Sequence, residues 1–173
     1  MLNFIKVVPF SDVWVPTLCS WIKNLNDLVY WSGNTFSKQS FTTKIFSDHL
    51  RKVEISPFAG LNDKGTLVAY GEIVRNKCED RLNLCRIIVH PNQRGQGIGK
   101  RFTKVLIDKI QVMESCKSVR LNVLSSNHQA IACYSSLGFK KYGIIPRARR
   151  VGKTELDLII MSKTLDFKIN EEN

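Results

Sequence analysis

The chain lacks the features that would place it in a membrane or in an oxidising compartment. No apolar run approaches the roughly 18 residues of a membrane-spanning helix. The N-terminal residues 1–6 have no basic-then-apolar signal-peptide pattern. The 5 cysteines are odd in number and widely spaced, without a Cys-x-x-Cys pair, which predicts free thiols and no metal site. We therefore expect a cytoplasmic protein with no membrane partner.

Acidic residues are also scarce. The sequence has 15 Asp and Glu against 26 Lys and Arg, a formal net charge of +11. Such a surface can attract nucleic acid, membranes or anionic substrates, but no helix-turn-helix or stacking-aromatic motif supports a nucleic-acid partner. The basic residues concentrate between residues 138 and 153, with no acid among them. A solvated loop and an anion-attracting rim both explain this segment, which contains Lys140, Lys141, Arg147, Arg149, Arg150 and Lys153.

Repeats, low-complexity tracts and interdomain linkers are absent as well. At 173 residues and 43% hydrophobic composition, the chain can build one substantial core. We predict a single domain over residues 1–165, followed by a polar tail over residues 166–173.

Hydrophobic periodicity predicts alternating strands and helices. Residues 3–8 are expected to form a strand, 12–28 a helix, 31–34 a loop, and 41–53 a second helix. Residues 56–61 suit a strand in which Pro57 lies at an edge or at the start. Residues 66–75 and 82–90 then form a hairpin pair, 118–124 a further strand, and 139–145 with 155–162 a final antiparallel pair.

The most informative segment is His90–Lys100, which places Gly95, Gly97 and Gly99 between an apolar run and an amphipathic stretch. Glycine permits positive φ and close approach of a ligand to the backbone, and the first turn of a helix offers free N–H donors. The segment therefore predicts a phosphate site. Its spacing excludes a Walker loop and differs from the Gly-x-Gly-x-x-Gly of dinucleotide-binding folds.

Two motifs resemble those of a known family. Arg94-x-x-Gly97-x-Gly99 resembles the R/Q-x-x-G-x-G/A signature of the GNAT acetyltransferases. Residues 127–139 resemble the family segment N-x-x-A-x-x-x-Y-x-x-x-G-F, with Asn127 as a helix N-cap and Gly138 at the helix end. The resemblance covers roughly residues 66–163, and the first 60 residues carry no match.

The resemblance implies an α/β (α+β) fold with a single mixed, mostly antiparallel sheet of about six or seven strands flanked by helices. The strands at 82–90 and 118–124 would splay apart and hold acetyl-coenzyme A within a cofactor core at about 66–163. The implied cofactor-binding residues are Ile87, Ile88, Val89, Arg94, Gly95, Gln96, Gly97, Ile98, Gly99, Lys100, Asn127 and Tyr134.

The same resemblance suggests the catalytic groups. Tyr134 is the expected general acid for the departing thiolate. Many relatives carry a glutamate on the central strand, but residues 84–89 contain no carboxylate. Glu72 on the preceding strand is the best remaining base or amine-binding group, and its apolar neighbours lead us to expect a raised pKa. A water-mediated route without a dedicated base remains open, and Cys85 is better explained as a buried structural thiol.

The resulting function is transfer of an acetyl group from acetyl-coenzyme A to a primary amine of a small molecule or peptide, by direct attack in a ternary complex. Residues 26–40, 75–81 and 145–153 are candidates for the acceptor site, and the basic segment predicts an anionic acceptor. The alternatives are a non-catalytic acyl-coenzyme A sensor and a basic nucleic-acid or ribosome-associated module. A monomer and a homodimer both fit the sequence.

Overall fold

The computed structural model describes residues 5–37, 41–76, 81–113 and 116–165. These residues form seven strands and five α-helices, joined in part by short 3-10 turns at Asp12–Trp14 and Pro91–Gln93. In chain order the elements are β1 (Lys6–Pro9), α1 (Val15–Ser20), α2 (Leu25–Ser32), α3 (Thr43–Leu50), β2 (Ile55–Leu61), β3 (Leu67–Arg75), β4 (Arg81–Val89), α4 (Ile98–Met113), β5 (Ser118–Leu124), α5 (His128–Ser135), β6 (Lys140–Val151) and β7 (Thr154–Thr164).

The strands form one sheet in the order β1-β2-β3-β4-β5-β7-β6. Strands β4 and β5 pair in parallel, and the other neighbouring pairs of this described sheet are antiparallel. The predicted fold class, a mixed and mostly antiparallel sheet flanked by helices, is confirmed. No helix in the described ranges is long and apolar enough to cross a membrane.

The predicted helix over residues 12–28 is broken into two. Pro16 stands in the first turn of α1, which ends at Ser20. Asn24 then caps a new helix by accepting a hydrogen bond from the Asp27 amide at 2.9 Å. Helix α2 continues through Trp31, so the predicted loop at 31–34 begins only after Ser32, where Gly33 adopts a φ of 60°.

The sheet excludes one of the two positions predicted for Pro57 and lengthens the predicted final hairpin. Strand β2 is internal, between β1 and β3, so Pro57 does not mark a sheet edge. Its pairing with β1 covers only residues 58–61, which leaves Pro57 near the strand's start, as the alternative predicted. The final hairpin is longer than expected, because β6 extends to Val151 and turns at Gly152 with a φ of 61°.

The sheet carries a core on each face. On one face the buried residues surround α4, with Phe102, Leu106 and Ile110 almost fully buried; we call this the α4-side core. On the other face the helices α1–α3 contribute an aromatic cluster that includes Trp31 and Phe46; we call this the α1–α3 core. Both faces of the central strands are therefore covered by helices, as expected for their apolar sequences.

The central strands part within the sheet. Pairing between β4 and β5 runs from Arg81 with Ser118 to Leu84 with Leu121 and then stops. Both strands continue beyond this point, β4 to Val89 and β5 to Leu124. The predicted splayed pair is thus present, and its opening faces the loop that leads into α4.

Candidate active site

The diverging ends of β4 and β5 open into a cleft of about 580 Å³. Its walls are the end of β4, the glycine loop with the first turns of α4, one side of α5 along its length, and one side of α2. Every predicted cofactor-binding residue except Gln96 lines this cleft: Ile87, Ile88, Val89, Arg94, Gly95, Gly97, Ile98, Gly99, Lys100, Asn127 and Tyr134. Residues that are up to 47 positions apart in the sequence therefore share one cavity.

The glycine loop has the conformation that its sequence predicts. Gly95 and Gly97 adopt φ values of 77° and 74°, a region that L residues with a side chain rarely occupy. The loop is tied to the strand by Arg94, whose Nε donates to the Val89 carbonyl at 3.2 Å. Arg101 braces it from the helix side by donating to the Gln96 carbonyl at 3.0 Å. Helix α4 is 16 residues long, and its first turn opens directly onto the cleft.

A buried hydroxyl in the cleft has no hydrogen-bond partner. Thr103 on α4 is fully buried, and its Oγ1 contacts no donor or acceptor in the described structure. Leaving a buried hydroxyl unsatisfied costs roughly 1–3 kcal/mol. Because Thr103 also lines the cleft, its hydroxyl is available to a polar group of a ligand bound there.

Helix α5 presents both residues of the second motif to the cleft. Asn127 is the N-cap, and its Oδ1 accepts a hydrogen bond from the Ala130 amide at 3.2 Å. Tyr134 is half-buried, and its ring packs at 6.0 Å from that of Phe139. Burial, assisted by Cys133 and Cys85, raises the pKa of the Tyr134 phenol. The phenol is therefore protonated at neutral pH, the state that a proton donor requires.

Glu72 lies outside the cleft. Its side chain is fully buried between β3 and the helices α1–α3. Tyr70 donates to its Oε1 at 2.6 Å, His49 Nε2 lies 3.1 Å from the same oxygen, and the Arg86 guanidinium binds Oε2. The carboxylate is thus occupied by three donors and does not face the cavity in which an acceptor amine would bind.

The expected rise in the pKa of Glu72 is wrong. Burial does oppose its charge, but hydrogen bonds from His49 and Arg86, together with the charge of Arg86, hold the pKa below its ordinary value. A general base needs a pKa near the working pH and access to the proton it removes; Glu72 has a lowered pKa and is not among the residues that line the cleft. Cys85 is no better placed, because burial raises the pKa of its thiol to about 11.

Comparison with known proteins identifies the architecture. The model of the acetyltransferase (GNAT) family matches residues 22–139, more than half of the chain. This chain belongs to the GNAT acetyltransferase family. It is therefore an acyltransferase enzyme. The match begins well before residue 66, so the sequence motifs marked the start of the resemblance too late.

Individual relatives of this acetyltransferase are distant. It is 26% identical over 108 residues to a probable spermine N(1)-acetyltransferase of Bacillus subtilis subsp. natto, covering 59% of this chain and 71% of the relative. It is 30% identical over 119 residues to the thialysine N-epsilon-acetyltransferase of Sus scrofa, covering 67% and 69%. The crystal structure of spermidine N-acetyltransferase from Vibrio cholerae in complex with CoA and spermine superposes with a TM-score of 0.80 at 16% identity, covering 92% of this chain and 95% of that chain. That likeness concerns the fold.

Nine further residues line the cleft beside the predicted cofactor set: Asp27, Tyr30 and Trp31 on α2, Gln93 before the glycine loop, Thr103 on α4, Ser126 before α5, and Gln129, Ala130 and Cys133 on α5. Tyr30 and Ser126 bridge the two sides of the cleft, with their hydroxyl oxygens 2.8 Å apart. The first three lie within the predicted acceptor segment 26–40. Ser126 directly precedes the second motif, but no local sequence signal marks it.

Asp27 gives this acetyltransferase a carboxylate in the cleft. Its Oδ2 accepts a hydrogen bond from the Lys23 amide at 2.9 Å, which ties the residue before the Asn24 cap to the first turn of α2. The described lining otherwise contains only basic charges, at Arg94 and Lys100. In the ranges that the structure covers, no group of three or more His, Cys, Asp or Glu side chains could hold a metal ion.

The basic segment is part of strand β6, not a loop. Arg147 has a φ of 49°, and its amide donates to Asp157 at 2.9 Å; its Nε lies 4.0 Å from Glu155. Arg149 donates to the Ala148 carbonyl at 2.7 Å and packs against Gly33 at the end of α2. The segment thus borders the helix that forms one wall of the cleft. Residues 38–40 and 77–80 of the predicted acceptor segments, and the tail 166–173, lie outside the described residues.

Proposed function

We propose that this enzyme transfers the acetyl group of acetyl-coenzyme A to a primary amine by direct attack within a ternary complex. One observation carries the proposal: the glycine loop, the open first turn of α4 and the phenol of Tyr134 line a single cleft. An acyl donor that carries phosphate groups and releases a thiolate needs these features together: the loop and the helix turn to bind phosphate, and the phenol to protonate the thiolate.

The cleft residues fit coenzyme A. Gly95 and Gly97 leave the loop backbone without side chains, and their φ values of 77° and 74° suit a backbone that curves around an anion. Arg94 and Lys100 supply positive charge beside the loop. The orphaned hydroxyl of Thr103 supplies a further polar contact. When bound, acetyl-coenzyme A would provide an activated thioester to the neighbouring protein groups.

Tyr134 is proposed as the general acid. Its position on α5 faces the end of β4 across the cleft, where residues 87–89 form the opposite wall. Its raised pKa keeps the phenol protonated until a stronger base, the departing thiolate, forms beside it. Asn127, seven residues earlier in the same motif, is proposed to contact the cofactor while it caps α5.

Deprotonation of the acceptor is proposed to occur without Glu72. An ordinary alkyl ammonium has a pKa of about 10.4, so a small neutral fraction exists at neutral pH. That fraction, or a water chain leading out of the cleft, can supply the nucleophile. The route predicts a rate that rises with pH, because a larger fraction of the acceptor ammonium is then deprotonated to the neutral amine.

Two acceptor classes compete for the same cleft. The basic β6 segment beside α2 favours an acceptor with a carboxylate or phosphate near its amine. Asp27 inside the cleft favours a cationic acceptor, and two relatives bear the names of spermine or spermine/spermidine acetyltransferases. We propose the anionic class, since Asp27 is already engaged by the Lys23 amide, and treat polyamines as the competing class.

A thiol-release assay with acetyl-coenzyme A tests the function and separates these classes. The panel should contain spermidine, lysine, an alkylamine without a second charged group, amino acids, and acidic and basic peptides of matched length. We expect release that depends on an amine, with acidic peptides or carboxylated amines ahead of polyamines. If spermidine is the best acceptor, the anionic class is wrong; if no amine supports release above the hydrolysis rate, the proposed transfer is wrong.

A further inference from the structure

Glu72 is the centre of a buried cluster that the reaction itself does not use. Tyr70, His49 and Arg86 all bind its carboxylate, and the second nitrogen of Arg86 donates to Thr35 Oγ1 at 3.2 Å. Burying a carboxylate and a guanidinium is costly unless they are paired. The cost of burying these two charges suggests that the pair stabilises a particular conformation of β4, the strand that carries Arg86.

That reason lies in the backbone of β4. Arg86 has a φ of 50°, which an L residue with a side chain adopts only at a cost. Tyr70 pairs with Ile88 and Glu72 pairs with Cys85, so Arg86 and Ile87 together face Gly71. Two residues opposite one define a β-bulge. Gly71 accommodates it, because a Cβ there would lie 3.1 Å from the Ile87 side chain and 2.9 Å from Phe102.

The bulge inverts the faces of the strand. Leu82 and Leu84 point into the α4-side core. Regular alternation would carry Arg86 and Ile88 onto that same apolar face. In the structure Ile88 belongs to the α1–α3 core, while Ile87 and Val89 pack against the α4-side core. A shift of one residue exchanges the two faces, and it also leaves Ile87 outside the registers with the described strands β3 and β5.

We propose that the Glu72–Arg86 ion pair holds β4 in this bulged register and thereby presents residues 87–89 to the cleft. Without the pair, the buried Arg86 guanidinium has no counter-ion. The backbone strain of its positive φ then also loses an interaction that offsets it. Trp31 fastens the same point from α2, since its indole Nε1 donates to the Arg86 carbonyl at 2.7 Å. Glu72 is thus a positioning residue. The inference rests on the proposed function in one respect: the ligand that depends on residues 87–89 is coenzyme A.

Two double variants isolate the role of the backbone. Glu72→Gln/Arg86→Ala and Glu72→Gln/Arg86→Gly both remove the ion pair and differ by one methyl group. Only glycine accepts positive φ without strain, and the strain for alanine corresponds to about 5- to 30-fold. Calorimetric titration with coenzyme A should therefore give weaker binding by about this factor for the alanine variant. Asp48→Asn, which removes an exposed carboxylate from the same helix as His49, should bind coenzyme A like the wild type.

A crystal structure of the Glu72→Gln/Arg86→Ala variant would show the register of β4 directly. We expect Ile88 to move to the α4 side or the bulge to migrate along β4. An unchanged bulge, together with equal coenzyme A affinities in the two double variants and equal losses of thermal stability, would show that the pair only stabilises the fold and would overturn the inference. If the wild type itself fails to bind coenzyme A, the proposed function fails separately, and the register in the crystal still decides the role of the ion pair.

Discussion

Gly97 offers the sharpest test of the phosphate site. Its φ of 74° places it in the left-handed region, and a Cβ there would meet only the end of the Arg101 side chain, at 3.0 Å. The substitution Gly97→Val therefore strains the backbone by about 1–2 kcal/mol, or somewhat more for a β-branched residue. Gly152 provides a matched control, since it has a φ of 61°, lies in the β6–β7 turn, and has nothing within 4 Å of its Cβ position.

The two variants should lose similar stability but differ in ligand binding. In a chain of this size, 1–2 kcal/mol corresponds to a fall in Tm of about 2–8 °C, which we expect for both. Loss of one hydrogen bond to a charged phosphate costs about 1.5–3 kcal/mol, so Gly97→Val should weaken coenzyme A binding by about 10- to 150-fold. Gly152→Val should leave it unchanged.

Isothermal titration of the folded variants with coenzyme A and with 3′-dephospho-coenzyme A measures the effect. Both ligands contain the pyrophosphate, so both should lose the same factor in Gly97→Val. Unchanged affinity in a folded Gly97→Val protein, or an equal loss in Gly152→Val, would refute the assignment of the pyrophosphate to this loop.

Four further predictions concern single steps of the proposal. Tyr134→Phe should lower kcat by roughly 10²-fold with little change in coenzyme A affinity; full activity would remove the phenol from the mechanism. Thr103→Val removes an unsatisfied buried hydroxyl, so the free protein should melt about 2–12 °C higher while coenzyme A binds less tightly; a lower Tm with unchanged affinity contradicts this. Glu72→Gln should retain the acidic limb of the pH–rate profile, against the behaviour of a base. Because the pKa of Glu72 is lowered on folding, its stabilisation is present above the ordinary value of 4.5 and lost as pH falls through the folded value, so melting curves should show less acid-side destabilisation in Glu72→Gln. The pair Arg149→Ala/Arg150→Ala should raise KM for the acceptor and not for acetyl-coenzyme A, and the difference should shrink with added salt; a change confined to the cofactor KM would make the segment a phosphate contact.

The sequence determined the local elements of the cofactor site, because each depends on neighbours in the chain. Glycines at 95 and 97 permit the positive φ that the loop adopts, and Asn127 caps the helix that it begins. Hydrophobic periodicity was sufficient for β3, β4 and β5, whose predicted and observed bounds agree closely. It failed where a helix contained its own stop and restart, at residues 20–25, and where β6 continued through a basic segment.

Only the tertiary structure showed which groups surround Glu72 and which residues form the walls of the cleft. Apolar neighbours in the sequence indicated burial, but the donors that lower the pKa of Glu72 come from α3 and from the bulge in β4. The bulge depends on which of two strand registers pairs these charges, and that choice has no local signature. Likewise, Tyr30 and Ser126 meet over a separation of 96 residues. Helix caps and turns depend on interactions between residues that are close in the sequence, so the sequence predicts them. Ion pairs and cleft walls depend instead on which helices and strands the packed sheet brings together.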